Sequence, residues 1–502
     1  MKKLLLPIVT IVTLLFCSIV NFAQAPDLGT AANFVLFTST GAVSNTGTSQ
    51  LTGHVGTNSG SSTGFGNVNG VMHDNDGATT QCSADLLLAY NQLNNAIPTS
   101  FPSPLLGNGD TLTAGVYKIT GVTTLSGDLI LNAQGNANAV FIFQIQAAFS
   151  TTTASKVKLI NGAQACNVFW KVEGLISIAS ATYMRGTIVA NNAAINMNTN
   201  DTLEGRALST SGAVTLNGVM AYTPTGCGSA VLTGPAAPNL GATDAYGIFS
   251  GNGSVTNSGI TYVTGDVGTN VGLTAGYNPL FVTGAIHTIP DGSTAACAAD
   301  LLNVYSYLNT LPFDIELLYP AQFGNNLVLT PHSYLMNAAT AFNGSVYLNA
   351  QGNTDAVFVI KINGALTTST YSKVILMNGA QAKNVYWKVD GAVNINDYSV
   401  FNGTIICNNG AISLNTGDSL NGRAFTTNGA VSTSGIVVNR PSGSTILPLT
   451  WLYFRGKPTQ KNVLLEWSVS NEANNGVFTI EKSKDGKAFE KLNHCKFFNR
   501  NY

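Results

Sequence analysis

The side chains most able to do chemistry are few in this chain, and they do not gather. Its five histidines, His54, His73, His287, His332 and His494, show none of the spacings with which side chains hold a metal ion. Asp and Glu number 24 in 502 residues and are scattered, whereas cleavage of a sugar chain needs a paired acid and base. Arg206 and Arg423 recur in "LEGRA" and "LNGRA", a placement that suits turn capping or bridging of neighbouring backbone better than catalysis. Trp170 and Trp387, in "FWKV" and "YWKV", alternate with apolar neighbours and read as core residues. What does recur is small and neutral: hydroxyls and amides at fixed intervals. That inventory can hydrogen-bond a neutral partner, and it predicts no enzyme, no metal and no cofactor.

The intervals define the elements. "NGALT" (363–367), "DGAVN" (390–394), "NGAIS" (409–413) and "NGAVS" (428–432) repeat one phrase, and "QAAFS" (146–150), "EGLIS" (173–177), "NAAIN" (192–196) and "SGAVT" (211–215) repeat it earlier. Phe149, Ile176, Ile195 and Val214 recur at intervals of 27, 19 and 19, and Leu366, Val393, Ile412 and Val431 recur at the same intervals. Short strands at such a period, with glycine at the bends, are what a β-solenoid needs, because each coil buries its apolar side only by stacking on the next. Side chains alternate along a strand. With those apolar residues inward, an outer row holds Ser44, Ser150, Ser177, Asn196 and Thr215, matched by Thr256, Thr367, Asn394, Ser413 and Ser432. A second row, two residues on, holds Thr46, Thr152, Ala179, Asn198 and Asn217, matched by Ser258, Ser369, Asn396, Asn415 and Ser434.

The phrases sit inside a larger duplication. "LNAQGN" at 131 and 348 and "NGAQA" at 161 and 378 share one offset, and "GHVGTN" at 53 and "GDVGTN" at 265 lie at a slightly shorter one. Two homologous domains are expected, 27–222 and 240–440, with a Gly, Pro and Ala-rich linker at 223–239. Each has one segment of helical period: Leu86, Leu87, Tyr90, Leu93 and Ile97 in the first, and Leu301, Leu302, Tyr305 and Leu308 in the second. A helix laid along each solenoid, ending by Pro98 or Pro312, follows.

Composition narrows the partners. Charged residues make up 9% and the net charge is -1, against about 25% charged residues in ordinary globular chains. Nucleic acid and anionic membrane surfaces, which need clustered Lys and Arg, are excluded as partners. Lys2 and Lys3, the apolar run 4–20 and "AQA" at 23–25 form a signal peptide over 1–25, so the protein is expected to be secreted or held at the cell surface. Six cysteines remain beyond it, and their pairing is open among 15 connectivities. From 447 to 502 the chain becomes charged, with alternating strands around "NNG" and "KDG", a partial β-sandwich-like segment. It resembles the segment that precedes the secretion and sorting signal in many exported Bacteroidetes proteins, and the chain reads as truncated.

"LNAQGNANAVFIFQI", "NGAQACNVFWKV" and "LEGRALSTSGAVTLNG", with one helix beside short coils, resemble the microbial ice-binding protein family over about 400 residues in two tandem copies. The resemblance implies a mainly β fold of two tandem right-handed β-solenoids of triangular cross-section, each with one long α-helix packed alongside. It also implies a flat β-face that binds the ice crystal surface. Some members carry a motif of Thr, then Ala or Gly, any residue, then Thr or Asn; here it falls at Gly212–Thr215, Gly429–Ser432 and Ala193–Asn196, without its leading Thr. Coils stack at about 4.7–4.9 Å and alternate side chains lie about 6.6 Å apart along a strand, so uncharged rows form a rigid grid on the scale of ice spacings. The expected ice-binding residues are Ser44, Ser150, Thr152, Ser177, Asn196, Asn198, Thr215, Thr256, Thr367, Ser369, Asn394, Asn396, Ser413, Asn415 and Ser432, in a protein expected to be a monomer. The alternative is a cell-surface adhesin or matrix protein that uses the same scaffold for glycan or protein contact.

Overall fold

The structure, a computed structural model, describes residues 23–227, 229, 231–441, 450–458, 463–470, 477–483 and 489–496. Most of the expected signal peptide, residues 1–22, lies outside them. Residues up to Pro441 form one compact unit and those from Ser442 another. Among the described residues the second holds two antiparallel strand pairs, Thr450–Pro458 with Val463–Ser470 and Val477–Ser483 with Phe489–Lys496.

The first unit holds two β-solenoids whose strands pair in parallel. A coil of the first solenoid shows why it has three sides. The strand Thr202–Ser209 turns at Gly205 from one side to the next, Val214–Asn217 forms another side, and Met220–Tyr222 returns to the first. We call these sides the helix-covered face, the bare face (214–217) and the third face (202–204 and 220–222). The glycine phrases sit at the bends. A Cβ on Gly429 would lie 2.3 Å from the carbonyl oxygen of Gly410 on the coil below, so only hydrogen fits where these backbones stack.

The order of stacking differs from the order of the chain. The first coil, Phe34–Thr38, Val43–Thr46 and Gln50–Thr52, lies on the last one, against 207–209, 214–217 and 220–222. One further coil, with strands at 54–57 and 62–63, lies on that end, and 72–74 stacks in turn on 54–57. Helix α1 (Gly77–Asn95) then carries the chain to the opposite end, and the remaining coils return toward the first. The second solenoid repeats this with 246–264 on 424–439 and helix α2 (Gly292–Thr310).

Each helix begins in a capping box, Asp76 with Thr79 and Asp291 with Thr294. Cys82, Leu86, Ala89 and Leu93 of α1 are buried against Phe37, Ile142, Phe169, Val189 and Leu208, the outward row of the helix-covered face. Leu87 and Leu302, expected in the apolar stripe, are exposed, because the stripe keeps to one residue per turn and takes in Cys82 and Cys297 instead. The last turns are held from the sheet: Gln144 Nε2 donates to the carbonyls of Leu93 (2.8 Å) and Ala96 (2.7 Å), and Lys361 Nζ to those of Asn309 (3.1 Å) and Leu311 (2.5 Å). These bonds satisfy carbonyls that a helix end leaves without partners.

Each solenoid has its own continuous core. Trp170 and Trp387 lie fully inside, Trp170 stacked on Phe143 at a ring distance of 4.0 Å. Arg206 donates to Ala32 O (2.8 Å) across coils, and buried Arg423 pairs with Asp244, the inter-coil bridging expected of them. Cys166 and Cys227 form a disulfide that ties the start of the linker to the first solenoid. Cys82, Cys297 and Cys407 are buried and free.

The two solenoids meet end on. Asn69 donates to Thr330 Oγ1 (3.0 Å) and accepts from the Tyr334 hydroxyl (2.8 Å), Asn67 exchanges two hydrogen bonds of 2.9 Å with the backbone of Tyr319, and Gln50 donates to Asn325 O (2.9 Å). Beside them, burial first, then the nearby His73 and His332, lowers the His54 pKa to about 4. His54 Nδ1 accepts from the Val71 N–H at 3.0 Å. A histidine whose folded pKa lies below its unfolded value of about 6.5 leaves stability complete above that value and removes it as pH falls toward 4. Discounted for its partial exposure, the loss should be about 2 kcal/mol. His54→Asn, whose Oδ1 can accept the same N–H, should flatten the fall in melting temperature between pH 7 and 4.5; an unchanged slope would show that His54 is not its source.

Candidate functional site

The bare face is an eight-stranded parallel sheet in each solenoid. In the first it runs through strands 62–63, 43–46, 214–217, 195–197, 176–178, 149–151, 123–126 and 105–107; in the second through 274–275, 255–258, 431–434, 412–414, 393–395, 366–368, 340–343 and 323–324. No charged residue stands on any of these strands. The third face of the first solenoid differs, with ion pairs Lys158–Asp128 (2.6 Å) and Arg185–Glu204 (2.9 Å). The third face of the second solenoid carries Lys373 and a ladder of Asn402, Asn421 and Asn439.

The first expected row is one in-register file. Across the first solenoid the neighbours are Thr63, Ser44, Thr215, Asn196, Ser177, Ser150, Thr124 and Leu105. Across the second they are Ala275, Thr256, Ser432, Ser413, Asn394, Thr367 and Ala341. Neighbours bond laterally: Thr215 Oγ1 donates to Asn196 Oδ1 at 2.6 Å, and Ser432 and Ser413 hydroxyls lie 3.2 Å apart. Such bonds fix rotamers before any partner arrives. The sequence reading missed Thr63, Thr124, Ala275 and Ala341. The "TGVTT" at 120–124 carried the phrase and could have revealed Thr124.

The second expected row divides. Thr46 pairs with Asn217 and Ser258 with Ser434, in register on the sheet. The others lie at the corner past the strand ends, and all but Ala179 have their side chains engaged. Asn198 donates to Ile178 O (2.5 Å), Asn396 to Thr368 O (2.6 Å) and Asn415 to Ile395 O (2.7 Å), each reaching the neighbouring coil. Thr152 and Ser369 each bond a buried serine, Ser155 and Ser372, at 2.9 Å. Asp201 and Asp418 accept backbone N–H groups at the same corner, from Thr182 and Asn198 and from Ser399 and Asn415. Burial pushes Asp418 up to about 7, while those two N–H groups pull it down.

A third row, on the other side of the first, is made mostly of alanine. Ala42, Ala213, Ala194, Leu175, Ala148 and Val122 form it in the first solenoid, and Ser254, Ala430, Ala411, Ala392, Ala365 and Ala339 in the second. Carbonyls of this row accept inter-coil bonds, such as Val214 N to Ala42 O (3.0 Å) and Ile412 N to Ala430 O (2.9 Å). Leu175 and Val122 stand out from the plane, both exposed; the second solenoid has alanine at most corresponding places. The site is thus an uncharged parallel sheet that presents aligned hydroxyl, amide and methyl groups.

The Ice-binding-like family model matches residues 37–221 and 249–439. The chain is similar to the ice-binding protein of Nostoc sp. (strain HG1), 38% identical over 200 residues, which cover 39% of this chain and 73% of that one. It is also similar to the ice-binding protein of Flavobacterium frigoris (strain PS1), 29% identical over 207 residues, covering 38% and 73%. Among solved structures, that of an ice binding protein from an Antarctic bacterium Flavobacteriaceae superimposes with a TM-score of 0.83 at 62% identity, covering 84% of this chain and 100% of that one.

Proposed function

Because the chain belongs to the ice-binding-like family, we propose that it adsorbs to ice through the bare face of each solenoid and inhibits ice growth and recrystallisation. The observation that carries the assignment of the face is that it alone lacks charge in both copies while presenting aligned rows of Ser, Thr, Asn and Ala. A charged group holds its own oriented hydration and disturbs an ice-like water layer. Methyl groups leave water to order itself, and hydroxyl and amide groups anchor it. Each contact is weak, but dozens on one rigid plate act together, and their ordering cost is met by the backbone stack in advance. Ice then grows only between adsorbed molecules, at curved and less stable fronts. Membership of the family suggests a role without catalysis, and nothing favours the adhesin or matrix reading.

Export fits this role. Among the described residues no helix is long and apolar enough to cross a membrane. The Cys166–Cys227 disulfide suits an oxidising compartment, and the basic start and apolar run suit a signal peptide. The test is thermal hysteresis and recrystallisation inhibition by the purified chain at micromolar concentration. Faceted, growth-arrested crystals are expected; freely growing round crystals would overturn the proposal.

A further inference from the structure

Both free ends of the paired solenoids stop on exposed apolar side chains. At the first solenoid's free end, the coil after helix α1 carries Phe101, 72% exposed, and Leu105, with Val122 on the next coil. At the second solenoid's free end, the coil before helix α2 carries Leu280, 87% exposed, and Phe281, whose ring lies 4.9 Å from that of the exposed Tyr262. Water-exposed apolar groups gathered at one place mark contact sites more often than chance does.

The chain itself shows how such ends fit together. Inside it, the end of the first solenoid that precedes α1 docks on the end of the second that follows α2, through Gln50, Asn67 and Asn69 on one side and Tyr319, Asn325, Thr330 and Tyr334 on the other. The free ends are the duplicates of these two surfaces. Tyr262 is the counterpart of Gln50 at the offset that relates "GHVGTN" to "GDVGTN", and like Gln50 it opens the third-face strand of its coil. On the complementary side, Tyr117 donates to Thr113 O as Tyr334 does to Thr330 O, so the two receiving ends share their local fold.

We propose that the free end of the second solenoid docks on the free end of the first solenoid of another copy of this chain, head to tail, in the manner of the internal junction. The change of residue type fits the difference in circumstance. The internal junction is held by a covalent linker, which gives its halves a high effective concentration, so polar bonds suffice. A junction between chains has no tether and must draw on apolar burial. Tyr262 in the place of Gln50, and Phe281 in the place of Asn67 with Leu280 beside it, supply it. The contact is heterologous, so it leaves one free end of each kind and grows as an open series. This departs from the monomer expected from the sequence and does not depend on the ice-binding reading.

Sedimentation equilibrium of the full chain above freezing tests it. The weight-average mass should rise with concentration beyond that of two chains. Leu280→Asp spoils only one end and Phe101→Asp only the other; each variant alone should stay at the mass of one chain, with unchanged circular dichroism. An equimolar mixture of the two retains one intact end of each kind and should reach twice the monomer mass and no more. A wild-type mass that stays at one chain up to the solubility limit would overturn the proposal. So would a mixture that fails to associate, which would mean that the two ends do not bind each other.

Discussion

Ser413→Tyr should remove half or more of the thermal hysteresis and leave the melting temperature almost unmoved. Ser413 lies in the middle of the second solenoid's first row, between Ser432 and Asn394, beside a row of alanine. Its side chain is partly exposed and its one lateral bond is to Ser432, so a ring there meets no buried neighbour, and a surface change of this kind costs within about 0.5 kcal/mol. The plate is rigid, so it cannot bend around the ring; the ring holds a band of neighbouring coils off the crystal. Thr215→Tyr should act alike in the first solenoid, by less, because Leu175 already stands above that plane. Ser419→Tyr, on the third face of the same solenoid, is the control. If Ser419→Tyr lowers hysteresis and Ser413→Tyr does not, the docking plane is the third face, with its ladder of Asn402, Asn421 and Asn439.

The first row could be read from sequence because a strand has a period of two and each inward residue, such as Val431 or Ile412, is strongly apolar. Parity then fixes Ser432 and Ser413 without any knowledge of what stacks on what. The second row could be read only where the strands run on, at Thr46 with Asn217 and Ser258 with Ser434, since parity holds only while the strand lasts. Asn198, Asn396 and Asn415 fall one residue past the strand ends, where the chain turns and the neighbouring coil has carbonyls in want of donors. Asparagine suits both an exposed row and a corner brace, and its identity does not say which. The stacking order was hidden for a different reason: Val43 and Val214 are neighbours in space but belong to the first and last turns of one solenoid, and no periodicity spans such a gap. The junction was equally silent, because Asn67 and Asn69 look like ordinary turn residues until Tyr319 and Tyr334 are placed beside them.

The largest effect on stability should come from adding one methyl group, Gly422→Ala. The Cβ would lie 1.8 Å from the carbonyl oxygen of Gly403 and 2.6 Å from its carbon, both backbone atoms of the next coil. Gly422 has no positive φ, so the objection is one of space alone, and a flexible neighbour cannot yield because the neighbour is main chain. The pairs 402 with 421 and 404 with 423 flank the contact in register. Opening the coils at this point therefore strains hydrogen bonds on both sides and moves buried Arg423 away from Asp244. The expected loss is about 4 kcal/mol or more, at the upper end for single substitutions. The cores are separate, so calorimetry should show the second solenoid's transition fall while the first's holds; Gly205→Ala, 1.9 Å from Gly186 O, should reverse the pattern. Equal shifts of both transitions from either variant would mean that the end-on junction makes the two solenoids one cooperative unit. A loss below about 1 kcal/mol would mean that the coils are less closely stacked at this bend than those contacts require.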